Sequence, residues 1–141
     1  MSESTSRNVA DAEGLKAIVE GQARAWAEGD ADAIAGRFAE RYEFIVPGLH
    51  LTDPDQVRRA ALDYFARFKD TSVEIRRLVV QGDTAAVEWH WRHVNRQTGE
   101  ATRADDAIVL QVAGGKIVYW REYIDTVSRH SAACAPPPTE R

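Results

Sequence analysis

Apolar residues repeat along this chain with two different periods. From Leu15 to Phe68 they recur at steps of three and four, and beyond Asp70 they alternate. The first pattern is that of amphipathic helices and the second that of half-buried strands. Leu15, Ile18, Val19, Ala23 and Trp26 fall on one stripe of a first helix, which Gly29 is placed to end. Asp30 is positioned to cap a short second helix carrying Ile34 and Phe38, and a brief strand over 42–46 is halted by Pro47-Gly48. In the stretch DPDQ, Asp53 is the expected cap, Pro54 takes the first helical position and Gln56 completes a capping box. The helix that follows carries Val57, Ala61, Tyr64, Phe65 and Phe68 on one stripe.

The alternating half resolves into four strands, near 72–81, 84–94, 102–112 and 116–125. They are separated by Gly82-Asp83, an NRQTGE loop and Gly114-Gly115. Helices first and an antiparallel meander afterwards predict an α+β domain with a curved sheet wrapped over the helices. The other sheet face also needs cover, so a homodimer through it is expected.

Composition narrows the class. At 141 residues, 44% hydrophobic, the chain has the size of one domain with a real core. Residues 1–8 and 129–141 read as flexible ends, the latter Pro-rich, around a single domain over 9–128. The net charge of −4 argues against nucleic acid or an anionic membrane as partner. No stretch approaches the ~20 apolar residues of a membrane span, and the N-terminus lacks the apolar run of a signal peptide. Cys134 is the single cysteine, so no intramolecular disulfide forms and a cytoplasmic location fits.

The parity of the strands selects the chemistry. Odd positions of 84–94 give Ala85, Val87, Trp89 and Trp91 on the inner face. Trp89 and Trp91 are either core or a flat wall for a cyclic ligand. His90 and His93 lie three apart on a strand and point to opposite faces, and no ligand spacing completes a metal site. On 102–112, Asp106 shares the even face with Ala104, Ile108, Leu110 and Val112. On KIVYWREYID, Glu122 shares a face with Val118, Trp120 and Ile124. Asp125 has the opposite parity and is read as structural. Tyr42, Glu43 and His50 surround the Pro47-Gly48 loop at an expected pocket mouth, with His50 at the surface.

Two carboxylates on apolar faces of adjacent strands meet only in the right register. A two-residue Gly114-Gly115 turn pairs Asp106 with Tyr123 and sends Glu122 to the opposite face. A three-residue turn from Ala113 pairs Asp106 directly with Glu122 and joins the two apolar faces, and this is the expected arrangement. Burial and mutual repulsion then raise at least one carboxyl pKa, leaving a protonated acid beside an ionised base. The purely structural alternative pairs each carboxylate with Arg121, Arg103 or a Tyr hydroxyl.

Three helices followed by a meander ending GGKIVYWREYID after an inward Asp resemble the nuclear transport factor two-like superfamily, and within it the SnoaL-like polyketide cyclases. Ketosteroid isomerases and limonene-epoxide hydrolases are relatives. The resemblance covers roughly residues 12–127. It implies a cone-shaped, cystatin-like fold, a pocket between helices and sheet, no cofactor and frequent dimers. A ketosteroid isomerase has an Asp base where Val46 stands and an oxyanion-hole Tyr where Gln22 stands. Its oxyanion-hole Asp has a counterpart in Asp106. The Arg and first Asp of the epoxide hydrolases fall at Trp89 and Trp91, while their last Asp becomes Glu122.

These readings converge on a cofactor-free, metal-free enzyme doing cyclisation, isomerisation or dehydration on a hydrophobic cyclic or polyketide-like molecule. Glu122 and Asp106 are the catalytic candidates. Trp89, Trp91, Trp120, Tyr42 and His50 are the substrate-binding ones. A non-catalytic ligand-binding or dimeric accessory domain is the alternative, and an epoxide hydrolase with an altered catalytic set a second.

Overall fold

Gly29 adopts a φ of +74°, a region open to glycine, and ends the first helix, α1 (Ser2–Glu28). The computed structural model describes residues 2–125, with side chains from residue 12. The backbone of α1 starts at Ser2, so residues 2–8, expected to be loose, are helical. No Gly or Pro interrupts them before Gly14. The Pro-rich tail over 129–141 lies outside the described residues. Asp30 accepts the backbone N–H of Ala33 at 3.0 Å and caps α2 (Ala31–Gly36).

The third helix, α3 (Gln56–Arg67), begins after the DPDQ turn. Gln56 reaches back to accept the N–H groups of Thr52 and Asp53, each at 3.0 Å, which is the return half of the expected capping box. Asp55, rather than Asp53, occupies the cap position.

Six strands form one sheet: β1 (Phe38–Val46), β2 (Leu49–Leu51), β3 (Phe68–Gln81), β4 (Thr84–Asn95), β5 (Ala101–Ala113) and β6 (Lys116–Asp125), in the order β2-β1-β6-β5-β4-β3. Strands 3 to 6 are the expected meander. β1 starts earlier than its short apolar run suggests and pairs parallel with β6, whereas the other pairs among the described residues are antiparallel. Pro47-Gly48 turns β1 into the three-residue hairpin arm β2, which the sequence reading missed.

The core lies between the helices and the inner sheet face. Leu15 and Val19 of α1, Ile34 of α2 and Val57 of α3 meet Val87, Trp89, Ile108, Leu110 and Trp120, all essentially buried. Gln22 is buried with them because its amide is satisfied: it donates to the Ile34 carbonyl at 3.2 Å and accepts from Arg37 at 3.3 Å.

The β5–β6 hairpin departs from the expected register. Gly114 and Gly115 have φ of +58° and +79° and form a two-residue turn with Ala113 opposite Lys116. The pairing then shifts: Val112 faces Ile117, but Gln111 faces Tyr119, so Val118 is an extra residue on β6. This bulge restores the parity that a two-residue turn alone would lose. Asp106 consequently lies opposite Ile124, not Glu122, and Glu122 lies opposite Ile108.

Candidate active site

Glu122 lies two residues out of register with Asp106 on the same inner face, a diagonal separation that two carboxyl side chains span. Asp106 is 5% exposed. Its Oδ2 accepts the indole N–H of Trp89 at 3.3 Å, while Oδ1 is buried with no hydrogen-bond partner among the described residues. Glu122 Oε1 accepts the indole N–H of Trp120 at 3.1 Å. Among the described residues neither acid forms an ion pair, and Arg121 lies over the Tyr123 ring, 5.0 Å from its centre.

Burial pushes the Glu122 carboxyl well above the usual carboxylate range, and the adjacent Asp106 raises it further. Burial also raises Asp106, with hydrogen bonds from Glu122 and Trp89 offsetting part of that rise. Of the two, Glu122 is the acid held more strongly in its protonated form, and Asp106 the one whose carboxylate accepts hydrogen bonds.

Both acids line a cavity of about 500 Å³ between α3 and the sheet, with Trp26, Phe44, Val57 and Trp91 among its apolar walls. Its size is that of a small-molecule site. Trp91 faces it. Trp89 and Trp120, each 1% exposed, stand behind the acids in the core and act on them through their N–H groups. Tyr42 is buried beside Phe38 and its hydroxyl donates to the Asp53 carbonyl, anchoring the turn before α3. His50 is exposed, 3.5 Å from Glu43, and lines a pocket along the Pro47-Gly48 turn that shares Val46, Leu49, Glu122 and Ile124 with the cavity. Val46 lines the cavity, but Gln22 belongs to the core.

Two cavity residues escaped the sequence reading. Tyr64 hides within an apolar helix stripe, and His93 continues the odd face of Trp89 and Trp91, so parity alone already placed it inward. Their ring nitrogen and hydroxyl lie 2.6 Å apart. Among the described residues no three His, Cys, Asp or Glu side chains gather as a metal site. Among the described residues no helix is long and apolar enough to cross a membrane.

Residues 19–120 match the family model of the SnoaL-like domain. No curated protein matches. Among solved structures, the chain is similar to a protein with a ketosteroid isomerase-like fold from Catenulispora acidiphila, in complex with trimethylamine. The two share 20% identity over 79% of this chain and 88% of that one, with a TM-score of 0.73. An epoxide hydrolase from M. tuberculosis, of the LEH-like kind, superposes with a TM-score of 0.73 at 17% identity over 85% and 88% of the two chains. A SnoaL-like polyketide cyclase homologue from Jannaschia sp. CCS1 does so at 0.66 and 19% identity, over 85% and 93%. At such identities the likeness is one of fold.

Proposed function

This chain belongs to the family of SnoaL-like domains, and from that premise we propose that it is a cofactor-free acid–base enzyme acting on a hydrophobic cyclic or polyketide-like small molecule. The observation that carries the reading is the pair of acids at the wall of one cavity, Asp106 beside a Glu122 whose carboxyl pKa is raised by burial. Titratable groups with shifted pKa values that converge on a cavity mark a candidate site for proton transfer.

The chemistry follows from the two protonation states. Asp106 takes a proton from a carbon next to a carbonyl, while Glu122 gives its proton to the carbonyl oxygen, and an enol results. Reversal at a different carbon is isomerisation. Attack of the enol on a second carbonyl, with that oxygen protonated, is cyclisation. Trp89 and Trp120 hold the two carboxyls in place throughout. Such groups typically contribute ~10²–10⁴-fold in rate.

The test is deuterium incorporation next to the carbonyl of 2-tetralone in D₂O, followed by NMR. Exchange above buffer that is lost in Asp106→Asn and Glu122→Gln supports the reading. Binding of the ketone without exchange overturns it in favour of a non-catalytic binding domain.

The outer sheet face supports a second element of the proposal, a homodimer. Val79, Ala86 and Val109 lie side by side across three strands, with Val79 58% exposed. Charged residues near this row pair within the chain, Arg77 with Glu88 at 3.7 Å and His90 with Asp105 at 2.8 Å. An apolar row left over is cover for a second copy.

A further inference from the structure

The wall of the cavity contributed by α3 and the end of β4 carries a second polar cluster. Tyr64 Oη is 2.6 Å from His93 Nδ1, 2.9 Å from Trp91 Nε1 and 3.1 Å from Thr71 Oγ1, and Trp91 Nε1 is also 3.2 Å from His93 Nδ1. The His93 ring is stacked on Phe68 at 4.0 Å, which fixes its plane. Thr71 reaches the cluster because β3 bulges: Asp70 and Thr71 together face His93, with Asp70 at a φ of +53°.

Donor and acceptor bookkeeping orders the cluster. An indole N–H only donates, and this one points at both the phenol oxygen and Nδ1, so Nδ1 bears no proton. A 2.6 Å contact between phenol oxygen and that nitrogen requires a proton, which must be the phenol's own. Tyr64 therefore donates to His93 and accepts from Trp91. Among the described residues its second lone pair is met by the longest of Tyr64's own contacts, that to Thr71. Burial, and the proximity of Asp106 and Glu122, raise the Tyr64 pKa, so the phenol stays neutral.

We propose that Tyr64, oriented by His93 and Trp91, is a second binding station that accepts the hydrogen of a ligand hydroxyl in place of Thr71. The ligand class is then a flat ring compound with an oxygen at each end, one on the acid pair and a hydroxyl on Tyr64. The oxygen on the acid pair rests on the proposed function; the hydroxyl station stands on its own geometry. Tyr64 is a binding residue in this scheme and His93 a positioning one.

The experiment compares 2-naphthol with naphthalene-2,6-diol by calorimetric titration of the full chain. The unmodified protein is expected to bind the diol about tenfold more tightly than 2-naphthol, one hydrogen bond's worth. Tyr64→Phe should leave 2-naphthol within twofold and reduce the diol's advantage to under twofold. Thr71→Val keeps Tyr64 and removes its competitor, so the diol should gain two- to threefold while 2-naphthol does not; this variant decides the matter if Tyr64→Phe fails to fold. Equal binding of both compounds, binding of neither, or a diol advantage that survives Tyr64→Phe overturns the proposal. If Glu122→Gln and Asp106→Asn leave 2-naphthol binding unchanged while the diol advantage still depends on Tyr64, the acid-pair reading fails and the hydroxyl station is upheld.

Discussion

Asp106 and Glu122 sit on neighbouring strands two residues out of register, each with an indole N–H from its own inner face: Trp89 for Asp106 and Trp120 for Glu122. The two acids are therefore held by donors that cannot take their protons, which leaves proton traffic to whatever enters the cavity.

Stability is expected to fall as pH rises through the folded pKa of Glu122. Its pKa is raised on folding, so between the ordinary value and the folded one the native state binds the extra proton and each pH unit costs about 1.4 kcal/mol. Glu122→Gln mimics the protonated form and should remove this loss, making the variant more stable than the parent at high pH and equal to it near pH 4. Urea melts across pH 4 to 9 read the difference; parallel curves for the two proteins would refute it.

Asp106→Asn is expected to lower the pKa of Glu122, because the neighbouring charge that helps to raise it is gone. A ¹³C carboxyl titration by NMR would show the Glu122 midpoint moving down. An unmoved midpoint would mean that burial alone holds the proton.

Trp89→Phe takes away the indole donor to Asp106 Oδ2. Losing a hydrogen bond to a buried charged group costs about 1.5–3 kcal/mol, and the cost should shrink at acid pH as Asp106 takes up a proton. Denaturation at pH 7 and pH 3 separates this from simple packing loss, which would be the same at both.

Gly21→Ala should destabilise the protein although alanine is the better helix former. A Cβ at this position collides with the Arg37 guanidinium, which lies against the α1 backbone and donates to Gln22 and to the Ala33 carbonyl at 3.0 Å. Displacing it leaves the buried Gln22 oxygen unpaired, a penalty of about 1–3 kcal/mol. A raised melting temperature would contradict this account.

Val109→Lys places a charge in the apolar row of the outer sheet face. If that face joins two copies, light scattering should show the dimer mass halved, with the circular dichroism spectrum unchanged. A parent protein that is already monomeric would remove the proposal.

Local pattern determined much of this molecule. The switch from a 3.6 to a 2 period set the helices and the meander, Gly29, Asp30 and Gln56 set their ends, and alternation placed Asp106, Glu122, Trp89 and Trp91 inward. Such features depend on neighbours within a few residues and are legible for that reason. Tertiary structure decided what meets what. The Val118 bulge, which no local signal marks, put Asp106 opposite Ile124 and still kept both acids on one face. Packing of α3 over β4 brought Tyr64 to His93, 29 residues away, and the core claimed Trp89 and Trp120 as donors rather than walls. Register and long-range contact follow from how whole faces bury together, so the acids could be chosen from the chain, but their partners appear only once the sheet has closed over the helices.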